Sequence, residues 1–280
     1  MDNNLSFISD IDDNNIFHIL TFDIIPYYNQ KYKQVSIYKD NINIKDKCQK
    51  WRRFVLEKLY DMKISYTINK NLEQEQKIEL YDCWKFYMYN PHELMVEIYN
   101  KICSHQKGEY ILLNQRNPEK RYLYDYNSKL SLQNYLINKN MKLPFKYCYF
   151  DDLNVKEQYD ICSKAAVFIS VHNAGCTNLI FTPPTTPIIE VNFRKHWYCD
   201  PICDDHFYNN ISINKKCNGT TVSTEFHKAD YHNLCYLINK KYIEIQAVEY
   251  AGKFVDRNPI NKKRIYVNGD ELVNIINSLL

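Results

Sequence analysis

Glycine is scarce, with five in 280 residues. Each survivor therefore marks a position where the backbone or its packing is demanding. Long hydrophobic runs are missing as well. No stretch reaches the roughly 18 apolar residues of a membrane-spanning helix, so no membrane span is expected. The opening Met1-Asp2-Asn3-Asn4 is polar and acidic, not basic and then apolar, so a secretory leader is not expected and the reading is cytoplasmic. Charge of one sign is lacking too: 36 basic and 33 acidic residues leave a net +3. Nucleic-acid binders carry a clear basic surplus, so no nucleic-acid partner is expected. The ten cysteines are mostly scattered singly, which points to reduced thiols instead of a disulfide framework. The sequons Asn210-Ile211-Ser212 and Asn218-Gly219-Thr220 would matter only in a secreted protein.

What is present is a hydrophobic fraction of 45%, ample for a large core in one large domain or two smaller ones. Tyrosine is abundant at 25, beside many Asn, Ile and Lys. These residues share AT-rich codons and point to an AT-rich genome such as that of a large DNA virus. That is base composition, not function.

The first half offers an N-cap cluster at Asp12 to Asn15 before Ile16-Phe17-His18-Ile19-Leu20, read as a helix up to Pro26. Gln34 to Tyr38 alternates like a short strand, and Cys48 to Leu59 reads as an amphipathic helix. Pro91 opens another helix through about Cys103. In the second half, Tyr110 to Leu113 is a strand and Ser128 to Ile137 a helix with Leu130, Tyr135 and Leu136 apolar. Phe145 to Phe150 is a strand, and Asn154 with Glu157 three residues on caps a helix to Lys164. Ala165 to Val171 is apolar except for Ser170, as in a strand buried on both faces, and Pro187 to Val191 is similar. A strand at Arg264 to Val267 and a helix striped by Leu272, Ile275, Ile276 and Leu279 close the chain. Strands alternating with helices predict an α/β fold with a doubly wound parallel sheet. A domain join is placed near Ser104–Lys107, giving domains 1–105 and 106–280.

Ligands of open α/β sheets bind beyond the carboxyl ends of the strands. One such end carries Asn114-Gln115-Arg116, with Arg121 close behind; two forked guanidiniums suit a diphosphate, or form a solvated basic turn. Another carries His172-Asn173-Ala174-Gly175-Cys176-Thr177-Asn178, where a buried strand runs into small and polar residues and a short helix. Free N–H groups there suit an anion. Gly175 allows close approach, Asn173 tolerates the left-handed conformation, and His172 could donate to a phosphate or a sugar hydroxyl. A third end carries Glu190, a carboxylate that needs a partner: ribose hydroxyls, or a salt bridge to Arg194 or Arg116.

The run His172 to Pro184, followed by Pro187-Ile188-Ile189-Glu190, resembles the signature of glycosyltransferase family 61, which reads His-Gly-Ala-Gly-x-Thr-Asn, then Pro-Pro, then an apolar strand ending in Glu. Arg116 and Arg121 fall where that family has paired arginines. Asn15-Ile16-Phe17-His18 with Asp23 and Pro26 resembles its first motif, and Tyr231 to Ile243 and Val267 to Leu280 its closing segments. The chain departs from the pattern in three places. Asn173 and Thr185 stand where the family has glycines. Asp23 follows His18 by five residues, not four, a helical rotation of about 140° that takes the two off one face.

The resemblance implies a GT-B fold, two Rossmann-like domains facing a cleft, with the last helix able to pack back on the first domain. It implies an inverting, metal-independent enzyme without a cofactor. A UDP-sugar donor (UDP-xylose, UDP-GlcNAc or a relative) would lie on the C-terminal domain, and a glycan or glycoprotein acceptor on the other. Arg116, Arg121, His172, Asn173, Gly175, Thr177, Asn178 and Glu190 would contact the donor, and His18 or Asp23 would supply the base. A manganese-binding alternative through Asp10-Ile11-Asp12 has no apolar strand before it. A second alternative is a weak or inactive glycan-binding protein, its C-terminal segment stabilised by zinc on Cys199, Cys203, His206 and Cys217.

Overall fold

The computed structural model describes residues 16, 20, 47–60, 92–118, 121–192, 230–251 and 263–280. The strand expected at 34–38, most of the helix expected before Pro26, and the cysteine-rich stretch 199–217 lie outside the described residues.

Two helices come first. In α1, Lys47–Tyr60, residues Trp51, Val55, Leu56 and Leu59 are buried; in α2, His92–Ile102, Met95, Ile98, Tyr99 and Ile102 are. Both sets recur at three to four residues, so each helix buries one stripe. Ile16 and Leu20, four apart, join the same core.

The centre is a five-stranded sheet in the order β3-β1-β4-β5-β6, parallel throughout. Its strands are β1 (Tyr110–Asn114), β3 (Phe145–Cys148), β4 (Ala165–Val171), β5 (Ile188–Asn192) and β6 (Tyr242–Gln246). Alternation sorts their side chains: Tyr110, Leu112, Phe168 and Ile188 enter one core, while Ile111, Leu113, Val167, Ile169 and Val191 enter the other. The first core is closed by α1, α2, α4 (Val155–Cys162) and α5 (Asp230–Leu237). The helices α1 and α2, assigned from sequence to the first domain, thus share a core with the sheet of the second. A helix begins at Asn154 as its capping box requires, with Asn154 Oδ1 accepting from Glu157 N at 3.1 Å.

The second core is closed by α3 (Leu132–Ile137), α6 (Gly269–Leu279) and a sheet absent from the sequence reading. That sheet runs β2-β8-β7, with β2 (Arg121–Asp125) parallel to β8 (Lys263–Val267), and β7 (Glu249–Ala251) antiparallel to β8. The expected helix from Ser128 therefore starts only at Leu132, and Leu130 is exposed, not apolar core. The Asp125 carboxylate accepts from Ser128 N and Oγ at 2.6 and 2.7 Å, and Lys129 has φ 59°, which together make a tight turn. The closing helix α6 packs on α3, within the second half. Gly269 is needed there, since a Cβ would sit 2.3 Å from the Tyr135 ring, and Gly269 N donates to Asp125 Oδ1 at 2.9 Å.

Candidate functional site

From β1 the chain passes to β3 on one side and then crosses to β4 on the other. Between β1 and β4 the direction of winding reverses, which leaves a crevice beyond their carboxyl ends. Three of the segments singled out in the sequence meet there.

After β1, Gln115 is buried and fixes the turn: its Oε1 accepts from Arg116 N and Leu123 N, and its Nε2 donates to Gln133 Oε1 at 2.9 Å. Arg116 then reaches over the crevice. Its Nη1 donates to Asn173 Oδ1 at 3.5 Å and faces Asp151 Oδ2 at 3.7 Å, while its Nε is buried with no hydrogen-bond partner among the described residues. These are long contacts, so the guanidinium is loosely held. Arg121 opens β2 and points at the same place, donating from Nη1 to the His172 carbonyl at 2.8 Å. The two arginines converge on residues 172 and 173.

After β4 comes the 3-10 helix Ala174–Phe181. Asn173 caps it with φ −169° and ψ 168°, an extended backbone, so the left-handed conformation that an asparagine tolerates is not used. Its Oδ1 accepts from Gly175 N at 2.7 Å, and its own carbonyl accepts from Tyr231 OH at 2.7 Å. Gly175 serves close packing: a Cβ would lie 2.7 Å from Asn173 Oδ1 and 3.0 Å from Asn114 Nδ2. Thr177 is fully buried, and its Oγ1 has no partner among the described residues. Asn178 is fully buried too, but it turns away into the first core. There it accepts from Trp51 Nε1 and donates to Gln158 Oε1, both at 2.9 Å. This side chain holds α1 and α4 against the sheet and is not brought to the crevice.

Glu190 lies in the middle of β5, not at its end. Its Oε1 pairs with His172 Nδ1, and its Oε2 accepts from Tyr242 OH at 2.5 Å. Of the two arginine partners expected for it, Arg116 faces Asp151 instead, and Arg194 lies outside the described residues. Burial, then the Glu190 carboxylate, pushes the Tyr242 hydroxyl far up, so it stays a proton donor. The Cys176 thiol is pushed up to about 12 by burial and by Glu190, and stays protonated at neutral pH. His172 also packs its ring 5.5 Å from that of Tyr231. The result is a buried chain Tyr242–Glu190–His172 beside the arginine pair.

Asp151, Tyr231 and Tyr242 were not singled out from sequence. Asp151 follows the carboxyl end of β3, a position that could have been read; the two tyrosines arrive from distant segments. His18 and Asp23 lie outside the described residues, as do Cys199, Cys203, His206 and Cys217. Among the described residues no group of three or more His, Cys, Asp or Glu gathers as for a metal ion, and no helix is long and apolar enough to cross a membrane.

Residues 54–189 match the family model described as Glycosyltransferase 61. No curated protein matches the chain.

Proposed function

We infer, from the match of residues 54–189 to the Glycosyltransferase 61 family model and from the crevice between β1 and β4, that the chain is a glycosyltransferase that moves a sugar from a UDP-sugar to a hydroxyl of a glycan or glycoprotein, with inversion. Xylose and GlcNAc are the sugars proposed. The observation that carries this reading is the convergence of Arg116 and Arg121 on the end of β4, beside the buried His172–Glu190 pair. In the transfer the acceptor oxygen loses its proton to a base and bonds to the anomeric carbon. The bond from that carbon to the diphosphate breaks, and UDP leaves with the electron pair.

The departing diphosphate needs positive charge and aimed donors. Arg116, loosely held, can turn onto phosphate oxygens; Arg121 keeps its bond to the His172 carbonyl and adds charge. Glu190 holds the His172 ring, Thr177 offers a buried hydroxyl, and Gly175 a backbone N–H. Asn178 is proposed to position the loop without contacting donor. The base is proposed from the N-terminal segment, His18 or Asp23. No metal is required by this scheme, and the domain join near Ser104–Lys107 and the GT-B arrangement belong to the same proposal.

The test is calorimetry with UDP and a transfer assay over UDP-sugars, in EDTA and with manganese. UDP binding with EDTA-resistant transfer is expected. Loss of transfer on chelation, restored by manganese, would sink the metal-free scheme. One observation favours the second reading, a weak or inactive glycan-binding protein: the Asn173 side chain occupies donors that a phosphate would use. UDP binding without any transfer would support that reading.

A further inference from the structure

We propose that Asn173 is a built-in stopper of the phosphate cradle, a side chain that sets donor affinity by taking the place of a phosphate oxygen. The inference rests on the donor-site reading above and adds the residue that tunes it.

A cradle for an anion needs donors from separate elements aimed at one point. Here the Gly175 backbone N–H, from the first turn of the 3-10 helix, and Arg116 Nη1, from the turn after β1, aim at one point. What they meet is Asn173 Oδ1, at 2.7 and 3.5 Å. A carboxamide oxygen carries a partial negative charge and imitates an anion weakly. The other end of the amide is also tied: Nδ2 donates to the Val171 carbonyl and, at 3.4 Å, to Ser170 Oγ. The residue is buried, so the space is filled. Asn114 Nδ2 donates to the same Ser170 Oγ at 2.8 Å, which ties the stopper to the end of β1.

A phosphate oxygen makes stronger, charge-assisted bonds to the same donors and can displace the amide. It must first break those ties, and only the opened fraction of the protein binds, so the apparent affinity falls by that fraction. The backbone of Asn173 is extended, a conformation that any residue adopts, so a substitution here strains nothing. A smaller residue here leaves the cradle open.

The experiment measures UDP affinity by calorimetry for the wild type, Asn173→Gly and Asn173→Asp, with hydrogen exchange at the Gly175 amide followed by NMR. Glycine caps a helix nearly as well as asparagine, so Asn173→Gly should fold. It should bind UDP roughly tenfold tighter, the order of one net hydrogen bond, since the contacts at 3.4 and 3.5 Å add little to the short bond at Gly175 N. Asn173→Asp keeps the shape and adds a charge that pairs with Arg116 and repels phosphate, so it should bind markedly weaker than wild type. A merely structural residue would move both variants in the same direction. The Gly175 amide should exchange slowly in the wild type and faster in Asn173→Gly. Equal or weaker binding by Asn173→Gly, with wild type binding UDP, overturns the stopper alone, as does fast Gly175 exchange in the wild type. If no variant binds UDP while Gly175 is protected as expected, the donor-site reading falls and takes the stopper with it.

Discussion

The indole of Trp51 donates to Asn178 Oδ1 at 2.9 Å, joining α1 to the 3-10 helix after β4 across 127 residues of chain. Both side chains are buried. A residue that the family resemblance assigns to the donor is thus committed to the core.

Asn178→Ala should therefore act on stability. It leaves Trp51 Nε1 and Gln158 Oε1 buried without their partner, at about 1–3 kcal/mol for each orphaned group. Urea unfolding should show that loss, while UDP affinity, measured where the variant is folded, should stay near the wild-type value. A fully stable variant that no longer binds UDP would return Asn178 to the donor site.

The two arginines should separate. Among the described residues the Arg116 guanidinium makes contacts of 3.5 and 3.7 Å, whereas Arg121 makes a 2.8 Å bond to the His172 carbonyl. Arg116→Ala should weaken UDP binding by about 1.5–3 kcal/mol with little change in unfolding midpoint. Arg121→Ala should weaken binding and lower the midpoint together. Wild-type UDP affinity in both variants would remove the diphosphate from this crevice.

Lys240 predicts a pH dependence. Its ammonium donates to the carbonyls of Pro183 at 2.6 Å and Thr186 at 3.3 Å, and burial pulls it down to about 7 from 10.5. Between those values the unfolded chain binds a proton that the folded chain does not. Stability from this group therefore rises with pH above 7 and is flat below, at no more than about 1.4 kcal/mol per pH unit. Buried thiols such as Cys176 and Cys235, pushed up by burial, act in the opposite direction near and above pH 9. The comparison therefore belongs at pH 7–8.5, between wild type and Lys240→Met. The variant should show a flatter dependence; parallel curves would deny Lys240 this role.

The base remains a proposal on the segment 15–26. His18→Ala should lower kcat by about 10²–10⁴ with donor binding intact, and Asp23→Asn should mainly raise the acceptor KM. Unchanged turnover in His18→Ala with none in Asp23→Asn would reverse the two roles.

Much of the scaffold was legible in the sequence because its signals are local. The capping box at Asn154 and Glu157, the apolar run Ala165–Val171 and the stripe Leu272–Ile276 each lie within a few turns or one strand. So do the signals that place Arg116 and His172 just beyond strand ends. What remained hidden depended on neighbours far along the chain. The strand Arg121–Asp125 has polar ends and becomes a strand by pairing with Lys263–Val267, some 140 residues on. Polar partners were decided the same way. Strand order sets His172 and Tyr242 beside Glu190, and core closure sets Trp51 against Asn178. A side chain's type fixes what bonds it can make. Only the packing of distant elements fixes which groups are within reach, as at Asn173, whose Oδ1 meets the Gly175 N–H and Arg116 Nη1.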